Sequence, residues 1–208
     1  MERRILCFGD SNTWGYDVKT DSRFPASIRW TCQLQALLPE YQILEEGLCG
    51  RTTVFADPLN EGMRGIDYLK PCLSTHSPLH ALLLALGTND CKERFSATAK
   101  NIADGMHRLI QAAKQAAVWA DQPNILVIAP PPMPKELSSG CFSGEMGDCS
   151  EKSYLLAKYY QAAALREGCQ FLDLNGIAEM SQLDHMHYTA ASMPKIAAAI
   201  AKIIKNTF

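Results

Sequence analysis

Ser11 follows a short apolar segment and a glycine near the start of the chain, which is a suitable position for a nucleophile. Residues 5–8 predict a short buried strand, and Gly9 ends it. In open α/β sheets, ligands bind beside the carboxyl ends of the strands, where Ser11 would lie. A serine hydroxyl is a weak nucleophile unless a neighbouring base takes its proton. Catalysis by Ser11 would therefore require a base, a group that orients it, and hydrogen-bond donors for an oxyanion.

His187 is the strongest candidate for that base among the five histidines. Asp184 lies three residues before it, and in a single turn residues with this spacing can face the same side. The Asp184 carboxylate could then accept a hydrogen bond from Nδ1 of His187 and leave Nε2 facing Ser11. The competing interpretation is that Asp184 and His187 only cap the final helix.

The other histidines do not form an evident site. His76 and His80 have the spacing of a metal-binding pair on a helix, but Pro78 lies between them and no third ligand is evident. His185 is adjacent to Asp184 and would point elsewhere, and His107 falls inside a long predicted helix. The sequence therefore predicts no metal, and the chemistry requires no organic cofactor.

Two loops offer donors for an oxyanion. Asn89 follows the third predicted strand, and its side-chain amide could contribute about 3 kcal/mol of transition-state stabilisation. Gly50 follows the second predicted strand, and a glycine lets its backbone N–H approach a substrate without obstruction. The N–H of Ser11 is the third donor, and Asp90 is interpreted as a brace for its loop. Each loop alone is ordinary turn chemistry, so the prediction depends on three strands delivering these groups to one edge.

Predicted strands alternate with predicted helices along the chain, which favours a parallel sheet with helices on both faces. The five strands predict an α/β fold, a three-layer α/β/α sandwich with the flavodoxin-like strand order 2-1-3-4-5. With 208 residues, a single domain over 1–208 is expected. The predicted strands cover 5–8, 41–44, 81–86, 124–129 and 170–172, and the predicted helices cover 27–38, 96–120, 151–166 and about 190–205.

The composition argues against several classes of partner. The formal net charge is −2 and no basic stripe occurs, which argues against nucleic acid and anionic membranes. No apolar run reaches the length of a membrane span, and because residues 1–4 run directly into the first predicted strand we expect no signal peptide. We therefore expect a cytoplasmic location and a small molecule as the substrate.

The eight cysteines are expected to be reduced and to serve as small apolar residues. Cys141 and Cys149 flank a glycine-rich loop and are the one pair that could form a bridge or hold a metal. The surrounding segment, 133–150, is predicted to be irregular. It could form a lid or a subunit contact, or it could be a surface loop without a role.

Four motifs, taken in chain order, resemble those of the SGNH hydrolases, the GDSL esterase/lipase superfamily. They span nearly the whole chain, which makes the resemblance specific, whereas Gly-Asp-Ser alone would be a weak signal. Segments 4–11, 13–15, 45–48 and 51–53 further resemble the arylesterase/acyltransferase branch. The four motifs are Gly9-Asp10-Ser11, Gly50, Gly87-Thr88-Asn89-Asp90 and Asp184-x-x-His187.

The resemblance implies a serine carboxylic ester hydrolase that forms an acyl-enzyme on Ser11. It implies that Asp184 and His187 complete the catalytic residues, and that the oxyanion hole consists of Ser11, Gly50 and Asn89. It also implies short acyl substrates, transfer of the acyl group to water or to an alcohol, and a homo-oligomer. Carbohydrate acetylesterases, lysophospholipases and thioesterases of the same superfamily are alternatives.

The substrate pocket is less well determined by the sequence. Trp14, Thr88 and Met186 are candidates because they adjoin catalytic residues, although aromatic and methionine side chains more often belong to the core. Asn12 replaces the leucine that gives the GDSL motif its name, and it is expected to affect the pocket more than the chemistry.

Two other classes of protein are less favoured. A flavodoxin-like binding module for a nucleotide or flavin would need a phosphate loop, but G-x-x-x-x-G-K-[ST] and G-x-G-x-x-G both fail to occur after the first strand. An α/β-hydrolase would need G-x-S-x-G around its nucleophile, but Thr13 stands where the second glycine belongs.

Overall fold

Five parallel strands form the central sheet of the computed structural model, which describes residues 3–135 and 143–208. The middle strands are almost continuously apolar, as expected for strands that are covered on both faces. Two further strands form a separate antiparallel pair. The strands are β1 (Arg3–Gly9), β2 (Tyr16–Asp17), β3 (Ser22–Arg23), β4 (Tyr41–Gly47), β5 (Ala81–Ala85), β6 (Ile125–Ala129) and β7 (Gln170–Asp173).

The order of the central sheet is β4-β1-β5-β6-β7, with parallel pairing throughout. Counted over the five central strands alone, this order is 2-1-3-4-5, so each strand has the neighbours that the sequence predicted. The prediction omitted β2 and β3, and for this reason its numbering differs from that of the full set of strands. β1 and β4 are longer than predicted and end together, because Gly9 pairs with Gly47.

Helices cover both faces of this sheet and complete the three layers. The described helices are α1 (Ser11–Trp14), α2 (Trp30–Leu37), α3 (Gly65–Thr75), α4 (Ala99–Lys114), α5 (Ser143–Met146), α6 (Ser150–Arg166) and α7 (Met193–Thr207). Residues of α3, α4 and α6 belong to one apolar core, and those of α2 and α7 to a second. Alternate residues of β1 face the two cores, with Leu6 and Phe8 in the first and Ile5 and Cys7 in the second. None of the described helices is long and apolar enough to cross a membrane.

Two helices differ from their predictions for local reasons. α3 was not predicted, because Pro71 inside it weakens the helical pattern. α4 is shorter than predicted at both ends, since it begins at Ala99 rather than Ser96 and ends at Lys114 rather than Ala120. The Thr98 side chain accepts from the backbone of Asn101, whose own side chain accepts in return, and this capping box fixes the start of the helix.

The segment 133–150 is only partly irregular, since it contains α5 and the start of α6. Residues 136–142 lie outside the described residues, and so does Cys141, one member of the predicted cysteine pair. Cys149 is a buried free thiol, and the other described cysteines are also free.

The end of β1 and the one-turn helix α1 pack tightly against β4. A Cβ atom at Gly47 would lie 2.1 Å from the backbone nitrogen of Trp14, so only glycine fits at this point of β4. The close approach fixes Ser11, the first residue of α1, at the carboxyl edge of the sheet.

Candidate active site

Ser11 is held at the start of α1 by the residue before it. The Asp10 carboxylate accepts a hydrogen bond from the backbone N–H of Asn12 at 2.9 Å and so caps the helix. Ser11 itself is 5% exposed, and it lines a pocket of about 160 Å³. The serine hydroxyl is therefore shielded from bulk water but open to a small ligand.

A chain of two hydrogen bonds links Ser11 to His187 and Asp184. Nε2 of His187 lies 2.8 Å from Oγ of Ser11, and Nδ1 of His187 lies 2.6 Å from Oδ2 of Asp184. A carboxylate can only accept, so Nδ1 carries the proton and Nε2 is the acceptor for the serine hydroxyl. The three side chains thus have the hydrogen-bond polarity that serine activation needs.

The loop around Asp184 holds the histidine in place. Oδ1 of Asp184 accepts from the backbone N–H groups of Met186 and His187, each at 3.1 Å. Burial alone would raise the pKa of Asp184, but the hydrogen bond and charge of His187 and these two N–H groups outweigh it, and the pKa lies below its ordinary value. Asp184 therefore remains ionised and keeps its orienting bond to the imidazole. His185 lies between Asp184 and His187 in the sequence, and its backbone is left-handed, with a φ of 55°.

Asn12 fastens the nucleophile turn to this histidine loop. Its Oδ1 accepts from the N–H of Tyr188 at 3.0 Å, and its Nδ2 donates to the carbonyl of Met186 at 3.3 Å. Asn12 is expected from the sequence to affect the pocket more than the chemistry; it is not among the lining residues, and its amide bonds to the backbone on both sides of His187. A buried side-chain amide needs hydrogen-bond partners. An asparagine directly after Ser11 was therefore the sequence signal for such a bridge.

The two candidate oxyanion loops lie beside Ser11. Gly50 and Asn89 line the same pocket, and Gly50 has a positive φ of 86° that other residues rarely adopt. Nδ2 of Asn89 donates one hydrogen to the carbonyl of Arg51 at 3.2 Å, and an amide nitrogen carries a second hydrogen. The bond fixes the direction of the Asn89 side chain.

Asp90 joins the loop that carries Asn89 to the loop that carries Gly50. Its carboxylate accepts from the backbone N–H of Thr53 at 2.9 Å and also from the Thr53 hydroxyl. Burial, together with the nearby charge of Asp10, raises the pKa of Asp90 to about 7 against the lowering effect of Thr53. Burial likewise raises the pKa of Asp10 to about 6. The buried carboxyl groups of Asp10 and Asp90 therefore hold the backbone of the turns around the site.

The pocket wall combines apolar and ionic side chains. Tyr16, Met146 and Met186 supply apolar surface, and the ring of Tyr16 lies 4.4 Å from that of His187. Trp14 and Thr88 are not among the residues that line it. The ring of Trp14 lies 5.4 Å below the Arg23 guanidinium, and the side chain of Thr88 hydrogen-bonds to Asp10.

Lys92 and Glu145 form the ionic part of the wall, and sequence reasoning missed both. Nζ of Lys92 lies 3.3 Å from Oε2 of Glu145 and 3.6 Å from Oδ2 of Asp57. Arg94 also contacts Asp57, at 3.2 Å. The Lys92 side chain is 5% exposed, whereas that of Glu145 is 54% exposed, and both line the pocket that contains Ser11. Their loops carry no local motif, and only the folded chain brings them to Ser11.

The family model of the GDSL-like lipase/acylhydrolases matches residues 7–193. The chain belongs to this family. It is accordingly a carboxylic ester hydrolase. A comparison with curated proteins gives no match.

Solved structures similar to this GDSL hydrolase cover it along its whole length. A carbohydrate acetylesterase from Sinorhizobium meliloti is 36% identical with a TM-score of 0.90, and 100% of each chain is covered. An aryl esterase from M. smegmatis is 34% identical with a TM-score of 0.89, over 99% of this chain and 100% of that one. A carbohydrate acetylesterase family member from S. meliloti is 30% identical with a TM-score of 0.92, over 98% of each chain.

We predict that Asn12→Leu lowers kcat of the hydrolase about tenfold with little change in KM. Leucine would leave the Met186 carbonyl and the Tyr188 N–H buried without partners, which costs about 1–3 kcal/mol and loosens the histidine loop. Steady-state kinetics with p-nitrophenyl acetate, together with circular dichroism, measure the effect. Asn206→Leu, at an exposed asparagine of α7, is the matched control. An unchanged kcat in Asn12→Leu would show that the bridge does not position His187.

We predict that Asp90→Asn reduces the loss of stability as the pH rises. The native pKa of about 7 lies above the ordinary 3.8, so the folded protein retains a proton that the unfolded chain releases, and stability falls over this interval. Asparagine stays neutral, and the slope should become shallower by at most about 1.4 kcal/mol per pH unit. Urea unfolding of both proteins across this interval measures the difference. Parallel curves would contradict the raised pKa.

Proposed function

We propose that the protein hydrolyses esters of short carboxylic acids through an acyl-enzyme on Ser11. The observation that carries the proposal is the unbroken hydrogen-bond chain from Asp184 through His187 to the Ser11 hydroxyl, with distances of 2.6 and 2.8 Å. The family membership supports the same reaction class.

In the first step, Oγ of Ser11 attacks the ester carbonyl carbon while Nε2 of His187 takes the hydroxyl proton. The C=O π electrons move onto the carbonyl oxygen and give a tetrahedral oxyanion. The Asp184 carboxylate stabilises the imidazolium that forms. His187 then returns the proton to the leaving alcohol as the C–O bond breaks, and the acyl group remains on Ser11.

The oxyanion is proposed to lie among the backbone N–H groups of Ser11 and Gly50 and the side-chain amide of Asn89. These donors are fixed before the substrate arrives, because α1, the left-handed Gly50 and the bond from Asn89 to Arg51 hold them. Preorganised donors stabilise developing charge without reorganisation, and one such donor contributes about 3 kcal/mol.

Deacylation repeats the sequence with a new nucleophile. His187 takes a proton from water, the resulting oxygen attacks the acyl carbon, and Ser11 leaves with the proton returned by His187. An alcohol that occupies the same position would receive the acyl group instead, so acyl transfer is part of the proposal.

The walls of the pocket favour a small acyl group and a polar alcohol. A volume of about 160 Å³ leaves little room for a long chain, and Met146 and Met186 supply apolar surface for a methyl group. Lys92 and Glu145 supply a donor and an acceptor, which suit hydroxyl groups. The ionic wall therefore favours an acetylated carbohydrate as a second candidate substrate beside simple aryl esters, and the acetylesterase from S. meliloti supports it.

We predict that Ser11→Ala lowers kcat/KM for p-nitrophenyl acetate by roughly 10³-fold or more, because the proposed acyl-enzyme forms on this hydroxyl. The variant should unfold at the same urea concentration as the parent protein. Ser27→Ala, at an exposed serine, is the matched control and should keep full activity. Substantial turnover by Ser11→Ala would refute the acyl-enzyme on this residue.

We predict that Lys92→Met changes substrate preference. The variant should lose at least about tenfold more kcat/KM on an acetylated monosaccharide than on p-nitrophenyl acetate, since only the sugar offers hydroxyls to the ammonium group. Arg94 continues to pair with Asp57, which protects the fold. Lys100→Met, at an exposed lysine, is the control. Equal losses on both substrates would contradict a role in alcohol recognition.

A further inference from the structure

A cluster of Glu46, Cys72 and His76 lies outside the catalytic pocket and takes no part in the proposed reaction. One ligand atom from each residue, a carboxylate oxygen, a thiol sulfur and an imidazole nitrogen, lies within 4.8 Å of the other two. It is the only such group of three among the described residues. We propose that this cluster binds a divalent cation of the zinc type, which accepts sulfur, nitrogen and oxygen ligands together.

The three ligands lie at the end of α3 and the end of β4. Cys72 lies in the last turns of α3, and His76 is the C-cap of that helix, with its N–H bonded to the Cys72 carbonyl at 3.2 Å. Residues four apart on a helix share a face, and here that face meets the end of β4, where Glu46 lies. The site therefore lies between one helix end and one strand end.

From the sequence, His76 is considered only together with His80, and that pair is rejected as a metal site. His80 lies four residues later, and Pro78 argues against a helix between them. The structure confirms that separation, since His80 Nδ1 accepts from the backbone N–H of Arg4 at 3.2 Å. The partner of His76 is Cys72, four residues earlier on α3, and α3 itself was not predicted.

The imidazole and carboxylate ligands need to move little to share an ion. Nε2 of His76 lies 2.8 Å from Oε1 of Glu46, as in a hydrogen bond. Tetrahedral zinc ligands are about 3.4 Å apart, so these two atoms need to separate by only about 0.6 Å. The Tyr68 hydroxyl hydrogen-bonds to Glu46 and Cys72, and such outer contacts orient metal ligands.

Burial at the cluster suits an ion that enters from one side. Cys72 is 1% exposed, whereas the side chains of Glu46 and His76 are 21% and 25% exposed. Solvent can therefore deliver the ion past Glu46 and His76, and a water molecule can occupy the fourth position. On binding, the sulfur–hydrogen bond of Cys72 breaks, a sulfur–metal bond forms, and the proton passes to solvent.

The ligands themselves match the charge of a dication. The Cys72 thiolate and the Glu46 carboxylate supply two negative charges, while His76 binds as a neutral ring. Arg51 is the opposing group, and its guanidinium lies 4.2 Å from the ring centre of Phe8. It donates to the Gly9 carbonyl at 2.9 Å and to the Glu46 carbonyl, so its position is fixed by the backbone and does not depend on the cluster.

The test is a titration of the full chain with Co²⁺, which reports thiolate ligation by a charge-transfer band in the near ultraviolet. We expect one Co²⁺ per chain, an absorption pattern of tetrahedral coordination, and displacement by Zn²⁺. Cys72→Ser should abolish the band and His76→Gln should weaken binding at least tenfold. Cys169→Ser, at a cysteine outside the cluster, is the matched control and should retain the band.

The proposal is overturned if the parent protein shows no thiolate band, or if Cys72→Ser or His76→Gln binds Co²⁺ as tightly as the parent. His76→Gln keeps the test decisive if Cys72→Ser fails to fold, since His76 is partly exposed. Zn²⁺ should also raise the unfolding temperature of the parent protein and not that of either variant. Because each readout is binding or stability, the outcome is independent of whether the protein acts as an esterase through Ser11.

Discussion

The hydrogen bond between Ser11 Oγ and His187 Nε2, 2.8 Å long, joins residues 176 positions apart. It requires the end of β1 and the loop before α7 to meet at one edge of the sheet. A misplacement of either segment by about 1 Å would break it and reduce catalysis strongly. Much of the architecture around the pocket can be understood as fixing this one distance.

Several contacts together fix the end of β1 relative to the loop before α7. Gly47 lets α1 lie directly on β4, Asn12 ties α1 to the backbone on both sides of His187, and Asp184 holds the imidazole from behind. Removing one partner of a buried hydrogen bond costs about 1–3 kcal/mol, because the other partner is left without water or protein. The polar groups of the site therefore specify one arrangement and are unlike an apolar core, which tolerates repacking.

The buried carboxyl groups of Asp90 and Asp10 lower the stability of the fold at neutral pH. Burial raises the pKa of Asp90 to about 7 and of Asp10 to about 6, and both groups serve as acceptors that shape backbone turns. A carboxyl group accepts from two donors at once, as Asp90 does from Thr53, and a smaller neutral side chain would leave one donor unpaired. The free energy of unfolding is thus lower at neutral pH. The same carboxyl group of Asp90 holds the loops that carry Gly50 and Asn89 in a fixed relation.

Local patterns in the sequence predicted most of the fold and the residues that meet at Ser11. The apolar strands and their order followed from alternation with helices, and Asp184 and His187 followed from their spacing. Sequence reasoning failed where a role depends on contacts across the fold. The bridge of Asn12, the wall formed by Lys92 and Glu145, and the proximity of Glu46 to Cys72 all join distant segments, and Trp14 and Thr88 turned out to contact other partners. The sequence did not predict α3, because Pro71 within the helix interrupts the local helical pattern.

The most direct test of the account is labelling with an alkyl fluorophosphonate followed by peptide mass spectrometry. An activated serine attacks phosphorus, the P–F bond breaks, fluoride leaves, and a stable phosphonate ester forms. We predict one phosphonyl group per chain, located on Ser11, with esterase activity lost in proportion to labelling. A label on another residue, or activity that survives complete labelling of Ser11, would contradict the account.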